Sequence, residues 1–363
     1  MSGMSSSRFF KAMNCEGCGT GTPMIRHSMT LKRLCRKCFL RAIEDEVQRT
    51  VEMHSLVRPG ESIALGVSGG KDSSVMLHIL HTLRLRYQDV YDGVRFVMVA
   101  VNEGIQGYRG ESLACLRRLH KKYPYELEIV GFEERYGRTL DQLVNTVNGD
   151  SCNDTFAPLK GDLEDVNDTG RPQPTAKTAT ACSFCGILRR NSLSYGSLQT
   201  HCTKVATGHN ADDNAETVLL NLIRGDAAKL VRCSEPLSDL NQGVARIKPL
   251  CNIAQRDIVI YAHLQRLDYF SVECPYATTA LRGKPRSFLT NLCTRPAYSD
   301  AALRIIRSTR KLRLKTTHET RKLTSLHLCP SCQSPVSTTR CQCCDIRTAK
   351  TGDDLKRAAK CRP

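Results

Sequence analysis

Ser68-Gly69-Gly70-Lys71-Asp72-Ser73 stands between the apolar run Ile63-Ala64-Leu65-Gly66-Val67 and the segment Ser74-Val75-Met76-Leu77-His78-Ile79-Leu80. Two adjacent glycines let the backbone turn tightly, so several N–H groups and the positive end of a following helix dipole can face one anion. The spacing predicts a strand, a phosphate-binding loop and a helix. The loop is shorter than GxxxxGK[ST], which excludes an ordinary Walker A nucleotide site. A glycine turn followed by a capping serine is the plainer reading, and the strand–loop–helix order favours the anion site over it.

Two further groups of residues carry chemistry. Gly208-His209-Asn210-Ala211-Asp212-Asp213 ends one apolar run and opens a helix. Its carboxylates suit the Mg²⁺ of MgATP, and they equally suit a helix N-terminus with acids in its first turn. Cys182 and Cys185 form a CxxC pair placed just before the helical run Gly186-Ile187-Leu188-Arg189-Arg190. Alone, such a pair is a redox couple or half of a metal site. Cys274, in Glu273-Cys274-Pro275-Tyr276, is a candidate third thiolate, the alternative being a small buried hydrophobe. Three thiolates without a fourth leave a metal coordination position open, as catalytic metals need.

Other cysteines follow a structural pattern. Cys15-x2-Cys18 and Cys35-x2-Cys38 are separated by sixteen residues, and Cys329-x2-Cys332-x8-Cys341-x2-Cys344 has the spacing of a small zinc ribbon. Both predict four-thiolate zinc sites, with Cys343 an alternative to Cys344. The chain has 19 cysteines, and eight or more fall in such pairs rather than in the scatter of a disulfide framework. Thiols kept as metal ligands imply a reducing compartment, so the expected location is the cytoplasm. Arg8 and Lys11 faintly suggest a transit peptide, but Cys15 opens a metal motif at once. No secretory signal and no apolar run long enough to span a bilayer is present, so no membrane association is expected.

A net charge of +17 calls for an acidic partner. From Leu281 onward nineteen Lys and Arg oppose five Asp and Glu, so most of the excess lies there. Arg304, Arg307, Arg310 and Lys311 fall on one predicted helix and are the candidate phosphate-backbone contacts. Trp is absent and aromatics are few, which argues against base stacking as the main mode of recognition.

The elements that must position these groups alternate. Val94–Val101, Glu126–Val130 and Lys204–Gly208 read as further strands, with helices near Glu111–Lys121 and Asp212–Arg224. Continuous apolar strands between helices predict an α/β fold with a doubly wound parallel sheet, whose ligands bind beyond the carboxyl ends of the strands. The predicted division is a zinc module and helix (1–58), a catalytic core (59–280), a basic helical segment (281–325), a zinc ribbon (326–346) and a disordered tail (347–363). Asp, Asn, Thr, Gly and Pro dominate an aperiodic stretch near 148–180, read as a solvated insertion containing an unpaired Cys152.

SGGKDS resembles the pyrophosphate loop of PP-loop ATPases, the adenine nucleotide alpha hydrolase-like enzymes that split ATP into AMP and pyrophosphate. The whole series resembles the PP-loop tRNA thiolases, and among them the catalytic subunits of eukaryotic cytosolic thiouridylases. The supporting motifs are Val101-Asn102-Glu103-Gly104-Ile105 with Gly107-Tyr108-Arg109, CSFCGILRR, GHNADDNAETVLLN, Leu222-Ile223-Arg224-Gly225-Asp226, Tyr261-Ala262-His263, Arg266–Phe270, ECPYA and the ribbon. The insertion near 148–180 is longer than the resemblance leads one to expect, and Asn102 stands where relatives often carry Asp. The resemblance implies ATP over Ser68–Ser73, with Asp72, Gly208, His209, Asp212 and Asp213 around it, and adenylation at C2 of the wobble uridine. Sulfur then displaces AMP, giving 2-thiouridine. It also implies a 4Fe–4S cluster on Cys182, Cys185 and Cys274, or persulfide chemistry at the same thiols. Arg189 or Arg190 would neutralise charge on the phosphate, unless it is a solvated helix arginine. The implied partners are tRNA, a second, degenerate PP-loop subunit and a thiocarboxylated ubiquitin-related modifier as sulfur donor. The rival readings are a PP-loop enzyme of other specificity, such as a lysidine synthetase or cytidine thiolase, and a non-catalytic tRNA-binding scaffold.

Overall fold

The computed structural model describes residues 14–148, 181–238, 243–279, 282–312, 327–331, 335–336 and 339–359. The expected insertion, Cys152 and Cys332 lie outside the described residues. A hairpin of β1 (Ile25–Arg26) and β2 (Arg33–Leu34) precedes α1 (Arg36–Met53). The core then runs β3 (Ser62–Gly66), α2 (Lys71–Arg86), β4 (Arg95–Asn102), α3 (Arg109–Lys122), β5 (Glu126–Gly131), α4 (Phe132–Tyr136) and α5 (Leu140–Asn148). Its second half is α6 (Ala181–Gln199), β6 (Lys204–Thr207), α7 (Ala211–Ile223), α8 (Ala227–Cys233), β7 (Leu237–Ser238), β8 (Ala245–Ile247) and α9 (Gln255–Leu264). After it come α10 (Gly283–Cys293), α11 (Ala301–Lys311), β9 (His327–Leu328), β10 (Pro335–Val336), α12 (Gln342–Thr348) and α13 (Gly352–Ala359).

Six strands form one sheet in the order β5-β4-β3-β6-β8-β7. Every pairing is parallel except that of β7 with β8. Helices cover both faces, so β4 is buried from Phe96 to Val101 and reads as an unbroken apolar run. The chain moves outward from β3 through β4 to β5, then returns to the other side of β3 at β6. The reversal makes the β3–β6 boundary the switch point, and the crevice beyond it is where this topology places a ligand. Both Gly-containing turns, Ser68–Ser73 and Gly208–Asp213, leave from these two strands.

Three packed groups fix the surroundings. Phe39, Ile43, Val47 and Val51 of α1 join Leu80 and Leu83 of α2 in the largest core. Phe184 and Leu188 of α6 pack with Leu140 and Leu143 of α5 and with Cys341, Cys344, Ile346 and Leu355. Ala211 and Ala215 of α7 pack with Leu289 of α10 and with Leu303 and Ile306 of α11. Two sequence expectations change here. Cys182 and Cys185 do not precede a helix but lie within the first five residues of α6. Of the tail expected to be disordered from 347, Gly352–Ala359 instead forms α13, whose Leu355 is fully buried because its strongly amphipathic face finds α5, and residues 360–363 lie outside the described residues.

Candidate active site and metal centres

The loop after β3 is held from behind. Gly69 sits at φ +78°, and a Cβ there would lie 2.9 Å from the Ser112 carbonyl oxygen, so only glycine fits. Phe270 N–H donates to the Gly69 carbonyl at 2.7 Å, and the Cys115 thiol lies 3.5 Å from the same oxygen. Ser73 Oγ donates to the Gly70 carbonyl at 2.9 Å and accepts from Ser68 N–H at 3.2 Å. At the mouth, Lys71 Nζ lies 3.7 Å from Asp72 Oδ1. That buried oxygen has no hydrogen bond, and burial pushes the Asp72 carboxyl up to about 6 against the pull of Lys71.

Gly208 presses on this loop. A Cβ on it would meet Asp72 O and Ser73 N at 2.9 Å. Beyond it Asn210 and Asp213 form a reciprocal cap, Asp213 N–H to Asn210 Oδ1 at 3.0 Å and Asn210 N–H to Asp213 Oδ2 at 3.3 Å. Asp212 Oδ2 accepts the Gln255 N–H at 2.7 Å, and burial raises its carboxyl too. His209 Nδ1 lies 2.9 Å from Thr207 Oγ1, and burial holds its ring near 4, neutral at physiological pH. Asp213 therefore caps the helix and also repels the charge on Asp72. A buried carboxylate oxygen without a hydrogen bond, with Asp213 beside it, suits a hard cation such as Mg²⁺.

Arg189 lies one turn beyond Cys185 on α6 and donates through Nε to Glu103 Oε1 at 2.7 Å. It is thus an arginine anchored beside the cysteines, with its side chain still 40% exposed. Cys182 and Cys185 meet the segment after α9, where the Cys182 thiol donates to the Tyr276 carbonyl at 3.3 Å. Burial raises all three thiols, Cys185 to about 12, and Arg189 opposes that rise at each. Cys274 also acts electrostatically on both partners, so the three share one neighbourhood. Their sulfurs are not gathered within the 4.8 Å that marks the two cysteine groups described next. Three thiols in one neighbourhood are the donors a multi-iron cluster takes.

Cys15, Cys18, Cys35 and Cys38 have all sulfurs within 4.8 Å of one another. Gly17 N–H points at Cys15 Sγ (3.4 Å), Gly21 N–H at Cys18 Sγ (3.4 Å) and Cys35 N–H at Cys15 Sγ (3.1 Å), the donors a bound thiolate needs. Cys18 is accordingly drawn down to about 6 by the Thr20 and Gly21 N–H groups. Side chains at Gly17 or Gly21 would strike Cys38 or Cys35 at 3.0 Å. In the second group Cys329, Cys341 and Cys344 gather, with Cys344 N–H on Cys341 Sγ at 3.3 Å. Cys344, not Cys343, therefore joins this group. Both donor sets fit a single tetrahedral ion such as Zn²⁺.

On α11 the basic residues divide. Arg304, Arg307 and Lys311 are exposed, Arg304 in an ion pair with Asp300 at 2.7 Å. Arg310 turns inward, donating to Ser234 O at 3.0 Å and Asn252 Oδ1 at 3.2 Å. It is a packing anchor rather than part of the solvent-facing basic face.

Comparison with known proteins agrees with this arrangement. The PP-loop domain family matches residues 188–292. Cytoplasmic tRNA 2-thiolation protein 1 of Danio rerio is 36% identical over 336 residues, covering 92% of this chain and 87% of that protein. Its Dictyostelium discoideum counterpart is 34% identical over 337 residues, covering 93% and 83%. The chain belongs to the cytoplasmic tRNA 2-thiolation protein 1 family. Among solved structures it is similar to the U34-tRNA thiolase NcsA of Methanococcus maripaludis, determined with its [4Fe–4S] cluster. That likeness has a TM-score of 0.70 and 26% identity, covering 92% of this chain and 94% of that one. For a member of this family, the motifs disclosed the loop, the cysteines and the acids. They did not disclose Gln255, Ser112 or the pairing of Glu103 with two arginines, because those contacts join distant segments.

Proposed function

We propose that this protein is an ATP-dependent tRNA-uridine 2-sulfurtransferase acting on the wobble base of cytoplasmic tRNAs. The observation that supports it best is the meeting, at one end of the sheet, of a pyrophosphate-type loop on the switch point and a three-thiol group flanked by an anchored arginine. The loop from Ser68 to Ser73 would hold ATP, and Asp72 and Asp212, with Asp213, would hold its Mg²⁺. The uridine O2 forms a bond to the α-phosphorus as the α–β bridging bond breaks, and pyrophosphate leaves. Incoming sulfide then attacks C2, the C2–O bond breaks, and AMP departs with that oxygen. Arg189, fixed by Glu103, offers a positive charge to the departing phosphate. A cluster on Cys182, Cys185 and Cys274 would supply an open coordination position for the sulfur; the same thiols could carry it as persulfide.

The flanking cysteine groups read as structural zinc sites. The divisions at 58, 280, 325 and 346 are the proposed modules, with exposed Arg304, Arg307 and Lys311 holding tRNA phosphates. A degenerate second subunit and a thiocarboxylated ubiquitin-related modifier are the proposed partner and sulfur donor. Metal analysis of the anaerobically purified chain tests the assignment. Cys274→Ser should lose iron and tRNA thiolation while keeping zinc. Equal zinc loss in Cys274→Ser and Cys15→Ser would make Cys274 a structural ligand. Normal 2-thiouridine in cells holding only Asp72→Ala protein would leave a scaffold role instead.

A further inference from the structure

Glu103 is fully buried at the end of β4, outside both the loop and the thiol group. Arg189 Nε donates to its Oε1, whereas Oε2 lies 3.2 Å from Arg109 Nε without forming a hydrogen bond. Arg109, only 4% exposed, donates through Nη2 to the Val101 carbonyl and through Nη1 to Ser112 Oγ at 2.7 Å. Ser112 in turn donates to the Ser68 carbonyl at 2.8 Å. A continuous polar path thus runs from the first residue of the loop to the arginine beside the three thiols. Stability alone gives weak reason for it, since buried ion pairs are often matched or bettered by apolar residues of similar volume.

We propose that Glu103 is a positioning residue that couples the pyrophosphate loop to Arg189, so that sulfur delivery follows adenylation; this rests on the function proposed above. Among the described residues the carboxylate takes its hydrogen bond from Arg189, whose Nη2 also pairs with Oε1. An anion that draws Arg189 away leaves Glu103 with Arg109 alone, whose closure on Oε2 pulls on Ser112 and, through it, on the Ser68 carbonyl. Each site therefore biases the other, and the coupling is reciprocal.

The test is the ratio of AMP formed to 2-thiouridine made, with melting temperature and ATP–pyrophosphate exchange of the iron-free protein measured alongside. In Glu103→Gln the ratio should rise about tenfold or more, the size of a typical coupling. Ser112→Ala, a smaller change at the loop end, should raise it in the same direction. A merely structural role lowers both products together and leaves the ratio where it was. An unchanged ratio in both variants overturns the proposal, and where Glu103→Gln fails to fold, Ser112→Ala decides alone. If the parental chain forms no AMP, it is the adenylation reading that fails, and the coupling with it.

Discussion

Asp72 is held in a setting that suits its ligand better than its fold. Burial raises its carboxyl to about 6, above the unfolded value, so the native state holds that proton more tightly. Its ionisation therefore costs stability that is absent below the unfolded pKa of about 4, builds as the pH rises, and is complete above about 6. Asp72→Asn should raise the melting temperature of the ligand-free protein at about pH 7.5, with the gain fading as the pH falls through this window. The same variant should lose ATP–pyrophosphate exchange. A parallel pair of melting curves at all pH values would show that Asp72 is not the strained group. Stability given up at a site that serves function is a common trade.

Gly208 acts at the scale of elements, where the end of β6 is pressed against the start of α2. Gly208→Ala places a methyl group 2.9 Å from the backbone of Asp72 and Ser73, so the α2 N-terminus must shift. The ATP KM should rise about tenfold or more, the cost of displaced phosphate contacts, while zinc content stays the same. An unaltered KM would mean the two turns do not share a ligand. The amino-terminal cysteine group predicts the converse: Cys15→Ser should lose one zinc and loosen α1, whose Phe39 packs into the largest core, with exchange at the loop less affected. Strands, helices and these cysteines were legible in the sequence because each is a local pattern of apolar runs or short spacings. Helix α13 was missed because charged residues conceal an apolar stripe that matters only once α5 is beside it. The inward turn of Arg310 was hidden likewise, since Ser234 and Asn252 are near it only in the fold. Glu103 stood in a recognised motif, yet its role depends on arginines from two different helices.

Across the whole molecule the basic face and its anchor should separate by experiment. Neutralising Arg304, Arg307 and Lys311 together should weaken binding to all tRNAs alike and lower the salt slope by up to about three, with wobble selection retained. Arg310→Ala should instead lower thermal stability, by roughly 1–3 kcal/mol for its lost buried partners, with little change in that slope. Equal slopes in both variants would deny α11 a role in phosphate binding. The packing of Cys341, Cys344, Ile346 and Leu355 onto α5 and α6 has a consequence for biosynthesis. The helix bearing Cys182 and Cys185 leaves the ribosome long before the residues that cover it. The loop after β3 can thus take shape early, while the start of α6 stays open to solvent until translation reaches the second cysteine group. Synthesis order itself delays the covering of Cys182 and Cys185, and a chain halted before residue 327 would carry the Ser68–Ser73 loop beside an uncovered cysteine helix.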